Sequence, residues 1–129
     1  HVMTIGGLST LSQVASTTAL TKCDYWLDDF RSHLMDVRNY LCAELNQFPA
    51  YNVRIPKGTY LAFIALDQNL DESRIAEDIK AKAQVALVPG SARWFGPAAS
   101  GHLRLCFSTS KENIREAVSR LKDYANNNL

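Results

Sequence analysis

Seven apolar residues, Leu27, Phe30, Leu34, Val37, Leu41, Leu45 and Phe48, follow one another at intervals of three and four. That spacing lays them along one stripe of a long amphipathic α-helix. A helix of this kind needs an apolar layer against it, which the rest of the chain must supply. Asp24 stands where an N-cap belongs. Pro49 ends the pattern, because the residue before a proline disfavours helical backbone. Asp28, Asp29, Arg31, Arg38 and Glu44 fall off the stripe and are expected in solvent.

The covering layer is written downstream as strands. Tyr51–Ile55 is short and runs into a Pro56-Lys57-Gly58 turn; Thr59–Leu66 is dense in aromatic and aliphatic residues and reads as a strand. Asp71 is placed to cap a helix over Glu72–Ala83, with Ile75, Ile79 and Ala83 on one face. Val85–Val88 is a short apolar strand closed by Pro89-Gly90. Ser91–Gly101 reads as a loop. In His102–Phe107, period-two alternation sends Leu103, Leu105 and Phe107 to one face and His102, Arg104 and Cys106 to the other. Thr109 and Glu112 fit a capping box for a last helix carrying Ile114, Ala117, Val118, Leu121 and Ala125, whose polar end, Asn126–Asn128, should fray. Before the long helix, Ser9–Leu20 suggests a shorter one, preceded by a lead-in segment, residues 1–8. Short, hairpin-type connections predict an α+β fold: helices packed on one side of a small, mainly antiparallel sheet.

At 129 residues, 1–129 is expected to form a single domain. Lys plus Arg number 14 and Asp plus Glu 13, a balance that argues against a dedicated nucleic-acid binder. No stretch approaches the ~18 uninterrupted apolar residues of a membrane span, and the N-terminus lacks the basic-then-apolar pattern of a secretory leader. Cys23, Cys42 and Cys106 are far apart and form no C-x-x-C pair, so three structural thiols in a reducing, cytoplasmic compartment are expected. His1, His33 and His102 have no neighbour at ligand spacing, so no metal site is expected; His33 reads as an exposed helix residue. No G-x-S-x-G elbow or phosphate loop appears.

Arg104 is the one residue that invites a functional reading. Flanked by Leu103 and Leu105 on a well-packed strand, it would offer a fixed, two-pronged donor that matches a carboxylate. The alternation alone fully explains a surface arginine on the polar face of a half-buried strand, and the pattern by itself favours that reading.

Four motifs, in order, then resemble the class I/II pyridoxal-phosphate (PLP) aminotransferases. Pro56-Lys57-Gly58-Thr59-Tyr60-Leu61-Ala62-Phe63-Ile64 resembles their "P-x-G-[TS]-[YF]-hydrophobic" strand. Val85-Ala86-Leu87-Val88-Pro89-Gly90 followed by Phe95-Gly96 resembles "V-x-hydrophobic-x-P-G-x-x-F-G". Gly101-His102-Leu103-Arg104-Leu105-Cys106-Phe107-Ser108 resembles "G-x-hydrophobic-R-hydrophobic-x-F-[AS]", and the final helix resembles "S-x-E-x-I-x-E-A-x-x-R-L". Trp26-Leu27 is similar to a stretch of the cystathionine β-lyase-like branch, which includes C–S lyases. The usual glycine before that Trp is replaced around Lys22-Cys23, and the usual Asn of the long helix is Asp36.

The resemblance implies the C-terminal small domain of a fold-type-I PLP enzyme acting on amino acids, by transamination or by cleaving a carbon–sulfur bond, as a homodimer. It implies that Arg104 binds the substrate α-carboxylate and that no residue here is catalytic or holds the cofactor. The large domain would supply the Schiff-base lysine and the phosphate grip, so this fragment alone is expected to be inactive and to bind no cofactor. Ser108-Thr109-Ser110-Lys111 superficially matches a cofactor-lysine motif, but the Gly and Arg that usually follow are missing; Lys111 is expected to be a helix-start surface residue. Tyr60 and the Ser91–Gly96 loop are expected near the mouth of the active site. The rival expectation is a stand-alone α+β binding module that kept this fold. A chain that opens His1-Val2-Met3 and enters the family pattern midway favours the fragment.

Overall fold

Asp71 opens its helix as the sequence dictates. In the computed structural model its carboxylate accepts the backbone N–H groups of Ser73 and Arg74 at 2.9 and 3.1 Å, starting Glu72–Lys82. The structure describes residue 7, residues 9–67 and residues 70–129, for Ala92 and Arg93 the backbone alone. The lead-in segment 1–8 therefore lies outside the described residues except for Gly7. The elements are α1 (Thr10–Lys22), α2 (Asp24–Leu45), β1 (Asn52–Val53), β2 (Leu61–Ala65), α3 (Glu72–Lys82), β3 (Val88–Pro89), α4 (Ala92–Phe95), β4 (His102–Cys106) and α5 (Lys111–Asn128), with a 3₁₀ turn at Pro97–Ala99. The chain divides into two compact units, residues 1–33 and 34–129.

In the first unit Ser9 caps α1, its Oγ accepting the Ser12 N–H at 3.1 Å. No residue of α1 is buried; Leu11, Val14 and Leu20 are exposed. On the first turns of α2 the Trp26 and Phe30 rings stack with centroids 5.1 Å apart. Asp24, expected as the N-cap, is the first helical residue instead, and the Cys23 carbonyl accepts the Leu27 N–H. Leu27, the start of the apolar stripe, is exposed, and His33, expected exposed, is half-buried.

The second unit is the α+β layer. Its four-stranded sheet has the order β1-β2-β4-β3 with every pairing antiparallel. The second half of the α2 stripe is buried (Val37, Leu41, Leu45), together with Ile79 of α3 and Ile114, Val118 and Leu121 of α5. These pack with Ala62 and Ile64 of β2 and Leu103 and Leu105 of β4 in one core, closed by Phe107. Each such aliphatic side chain contributes about 1.5–3 kcal/mol on burial.

Several boundaries differ from the pattern: the strand expected at Tyr51–Ile55 is only Asn52–Val53, and the loop expected at Ser91–Gly101 holds α4 and the 3₁₀ turn. The α2 helix stops at Leu45, ahead of Pro49, and the Asn46 side chain serves as an extra strand edge. Its Oδ1 accepts the Val53 N–H at 2.7 Å, and its Nδ2 donates to the Val53 carbonyl at 2.9 Å. The strand expected at Val85–Val88 is Val88–Pro89, because Gln84 takes a left-handed φ of 57° after α3 and turns the chain. The proline costs no ladder bond, since β3 is an edge strand. For α5 the cap is Ser110, whose Oγ accepts the Asn113 N–H, while Thr109 Oγ1 accepts from Asn113 Nδ2. That shift puts Glu112 at the second helical position rather than the third. The expected fraying at Asn126–Asn128 is absent: Asn127 and Asn128 donate to the carbonyls four residues back, and Lys82 Nζ donates to Asn128 Oδ1 at 2.9 Å.

Tyr51 ties the turn after α2 to α5. Its buried hydroxyl donates to the Leu121 carbonyl at 3.0 Å, and burial pushes its pKa up to about 12. The Tyr124 hydroxyl donates to Asp78 Oδ2 at 2.7 Å and is also pushed up, by burial first and then by that carboxylate. An acid whose pKa is raised on folding contributes its full stability below its unfolded pKa, about 10 for tyrosine. That contribution is lost as the pH climbs through the folded value. The melting temperature is expected to fall from about pH 10 through about 12, and to fall less steeply in Tyr51→Phe. That variant should be about 1 kcal/mol less stable at neutral pH. Circular dichroism melts across the alkaline range check this, and parallel slopes for the two proteins would count against it.

Candidate functional site

The face of the sheet turned away from the core carries the residues that alternation sent outward. Arg104 sits half-buried on β4, a central strand, directly opposite Phe63 of β2 and Val88 of β3 in the register. The connection from β3 to β4 folds back over this face through α4 and the 3₁₀ turn. It brings Phe95 to Arg104, whose guanidinium carbon lies 5.3 Å from the centre of the Phe95 ring. Phe63 meets Phe95 edge-on at 5.6 Å and His102 at 6.4 Å. The His102 ring is anchored in turn: its Nδ1 lies 2.9 Å from the Ser100 carbonyl, so the proton resides there.

Among the described residues Arg104 has no ion pair and donates no hydrogen bond to a side chain; its one polar contact is with the Phe95 ring. Most other cations near the core are engaged. Lys82 pairs with Asp78, Lys111 with Asp36 at 2.5 Å, Arg120 with Glu116, and Lys122 with Glu44 at 2.5 Å. A guanidinium held on a sheet face with its N–H groups unspent can take a carboxylate through two parallel hydrogen bonds.

The remaining candidates are dispersed. Lys111 is the first residue of α5, as expected. Tyr60 is exposed, and its carbonyl accepts the Phe107 N–H at 2.9 Å. Of the thiols, only Cys42 is buried, and burial pushes its pKa up while the Arg38 charge opposes. Cys106, expected to be structural, is exposed on the Arg104 face. Arg38 and Glu44, expected in solvent, are half-buried tertiary contacts: Arg38 donates to the Pro56 carbonyl at 3.2 Å, fixing the turn before β2. Phe95 was visible only as part of a motif. Nothing in its spacing announced a ring against the arginine, because that contact is made by a connection and not by a periodic element.

No protein-family model matches the chain. Over 125 residues it is 27% identical to an aspartate aminotransferase of Pyrococcus horikoshii, a match covering 95% of this chain and 32% of that protein. Among solved structures, an alanine aminotransferase from Pyrococcus furiosus superposes with a TM-score of 0.83 at 26% identity, over 92% of this chain and 30% of that one. The PLP-bound C–S lyase from Staphylococcus hominis gives a TM-score of 0.81 at 27% identity, over 99% and 34%.

The fold is the small domain of fold-type-I aminotransferases. The chain corresponds to a C-terminal stretch of the PLP-dependent aminotransferases and cystathionine beta-lyase-like enzymes, and spans about a third of the length of the relatives it matches.

Among the described residues no lysine is both enclosed and free of a carboxylate partner. A covalent PLP site needs a lysine amine free to react and donors gathered around a phosphate. Lys82, Lys111 and Lys122 are committed to carboxylates, and Lys22, Lys57 and Lys80 are exposed on the surface. Among the described residues no helix is long and apolar enough to cross a membrane.

Proposed function

We propose that this chain is the part of a cytosolic, homodimeric PLP enzyme that grips an amino acid by its α-carboxylate, and that Arg104 makes the grip. The 129 residues act together as one segment of that enzyme, which transaminates amino acids or cleaves a carbon–sulfur bond. The observation that carries the reading is the state of Arg104: half-buried, backed by a ring and unpaired among the described residues. Two parallel hydrogen bonds from a fixed guanidinium orient the whole substrate, so the bond to be broken at Cα is chosen by how the carboxylate is held. The lysine and the phosphate contacts belong to the rest of the polypeptide.

The test is a cofactor-retention assay. Full-length protein incubated with PLP and desalted should keep a visible absorbance that changes when an amino acid is added. The 129-residue chain treated the same way should keep none and show no turnover. A stoichiometric cofactor trapped by borohydride on one lysine of the short chain would overturn the assignment of roles.

A further inference from the structure

Arg104 has a companion that the carboxylate grip does not explain. An arginine on a strand has a long flexible stem, and an unpaired guanidinium on an open sheet face would sample many directions. Here one side of the guanidinium is occupied by the Phe95 ring at 5.3 Å. Phe95 is itself fixed. Its N–H donates to the Ser91 carbonyl at 3.0 Å, and its ring stands edge-on against Phe63, the residue directly across the ladder from Arg104. Gly96, with a left-handed φ of 81°, turns the chain away immediately afterwards. Arginine and its cross-strand neighbour are thus bridged by one ring supplied by the connecting segment.

We propose that Phe95, propped by Phe63, is a positioning residue for Arg104. The ring attracts the cation through its electron-rich face and confines the guanidinium. A ring on the face of a guanidinium leaves free the edge N–H groups that a carboxylate uses. The inference rests on the proposed role of Arg104 and adds a separate claim: the Phe95 ring acts only through that residue.

The experiment is a double-mutant cycle in the full-length holoenzyme with an amino-acid substrate. Phe95→Leu keeps an apolar side chain of similar reach but loses the ring, and should raise KM about three- to tenfold with kcat changed much less. Phe95→Tyr restores a ring and should recover most of that loss. In an Arg104→Ala background, Phe95→Leu should have no further effect on KM. Equal losses in the Leu and Tyr variants, or an undiminished Phe95→Leu effect without Arg104, would overturn the positioning role while leaving the arginine's role intact. An Arg104→Ala enzyme that keeps its KM would overturn the carboxylate reading, and the positioning role with it.

Discussion

Gly90→Ala should destabilise this fold by about 3 kcal/mol or more, at the upper end of what overpacking costs. Gly90 is buried at the end of β3, where its N–H donates to the His102 carbonyl at 2.7 Å. A Cβ added there would lie 2.0 Å from the Ala99 carbonyl oxygen and 2.8 Å from that of His102. Both obstacles are backbone, so no rotamer change relieves them. Either the last ladder bond between β3 and β4 opens, or the segment through Pro97–Ala99 lifts off the sheet. That segment is braced by Gly96 and Gly101, both at left-handed φ, and it carries Phe95. The substitution should therefore reach the site as well as the stability. Denaturant unfolding is the check: the midpoint should drop sharply at an unchanged m-value. A loss under about 1 kcal/mol would mean that the connection moves aside easily, against the close approach seen here.

The same connection marks the limit of what the sequence discloses. Alternation in His102–Phe107 correctly divides the core-facing Leu103 and Leu105 from the outward Arg104, because each residue of a strand reports its own side. Asp71 is read correctly as a cap because that interaction is local. The Pro89-Gly90 pair announces a stop, but only the fold shows that the glycine is required by a carbonyl nine positions on. Likewise Arg38 and Glu44 look like solvent-facing charges of an amphipathic helix. Their partners, the Pro56 carbonyl and Lys122, are brought to them by chain reversals that carry no periodic signal. The α5 cap is displaced by one residue because Ser108, Thr109 and Ser110 are chemically near-equivalent caps, and register within such a run is decided by packing of Ile114 and Val118. Arg104 was therefore legible as a residue on the correct face. Its aromatic surroundings were not.

If the proposed carboxylate grip is right, Arg104→Ala in the intact PLP enzyme proposed above should lower kcat/KM for amino-acid substrates by roughly 100-fold or more. Each hydrogen bond to a charged group is worth about 1.5–3 kcal/mol and two are lost together, while every ~1.4 kcal/mol is tenfold in rate. Because the residue is only half-buried and has no ion pair among the described residues, its removal leaves no buried charge stranded. The melting temperature should move little, which separates loss of grip from loss of fold. Arg104→Lys is the more discriminating variant. It keeps the positive charge but replaces a planar fork with a single ammonium, so it should restore part of the affinity for the carboxylate and little of the orientation. Its KM should recover more than its kcat. A simple amine lacking the carboxylate supplies the control, since its slow turnover should be nearly indifferent to either substitution. If both variants stay within about threefold of the parent kcat/KM, the carboxylate is held elsewhere, and the unpaired guanidinium on β4 serves the sheet alone.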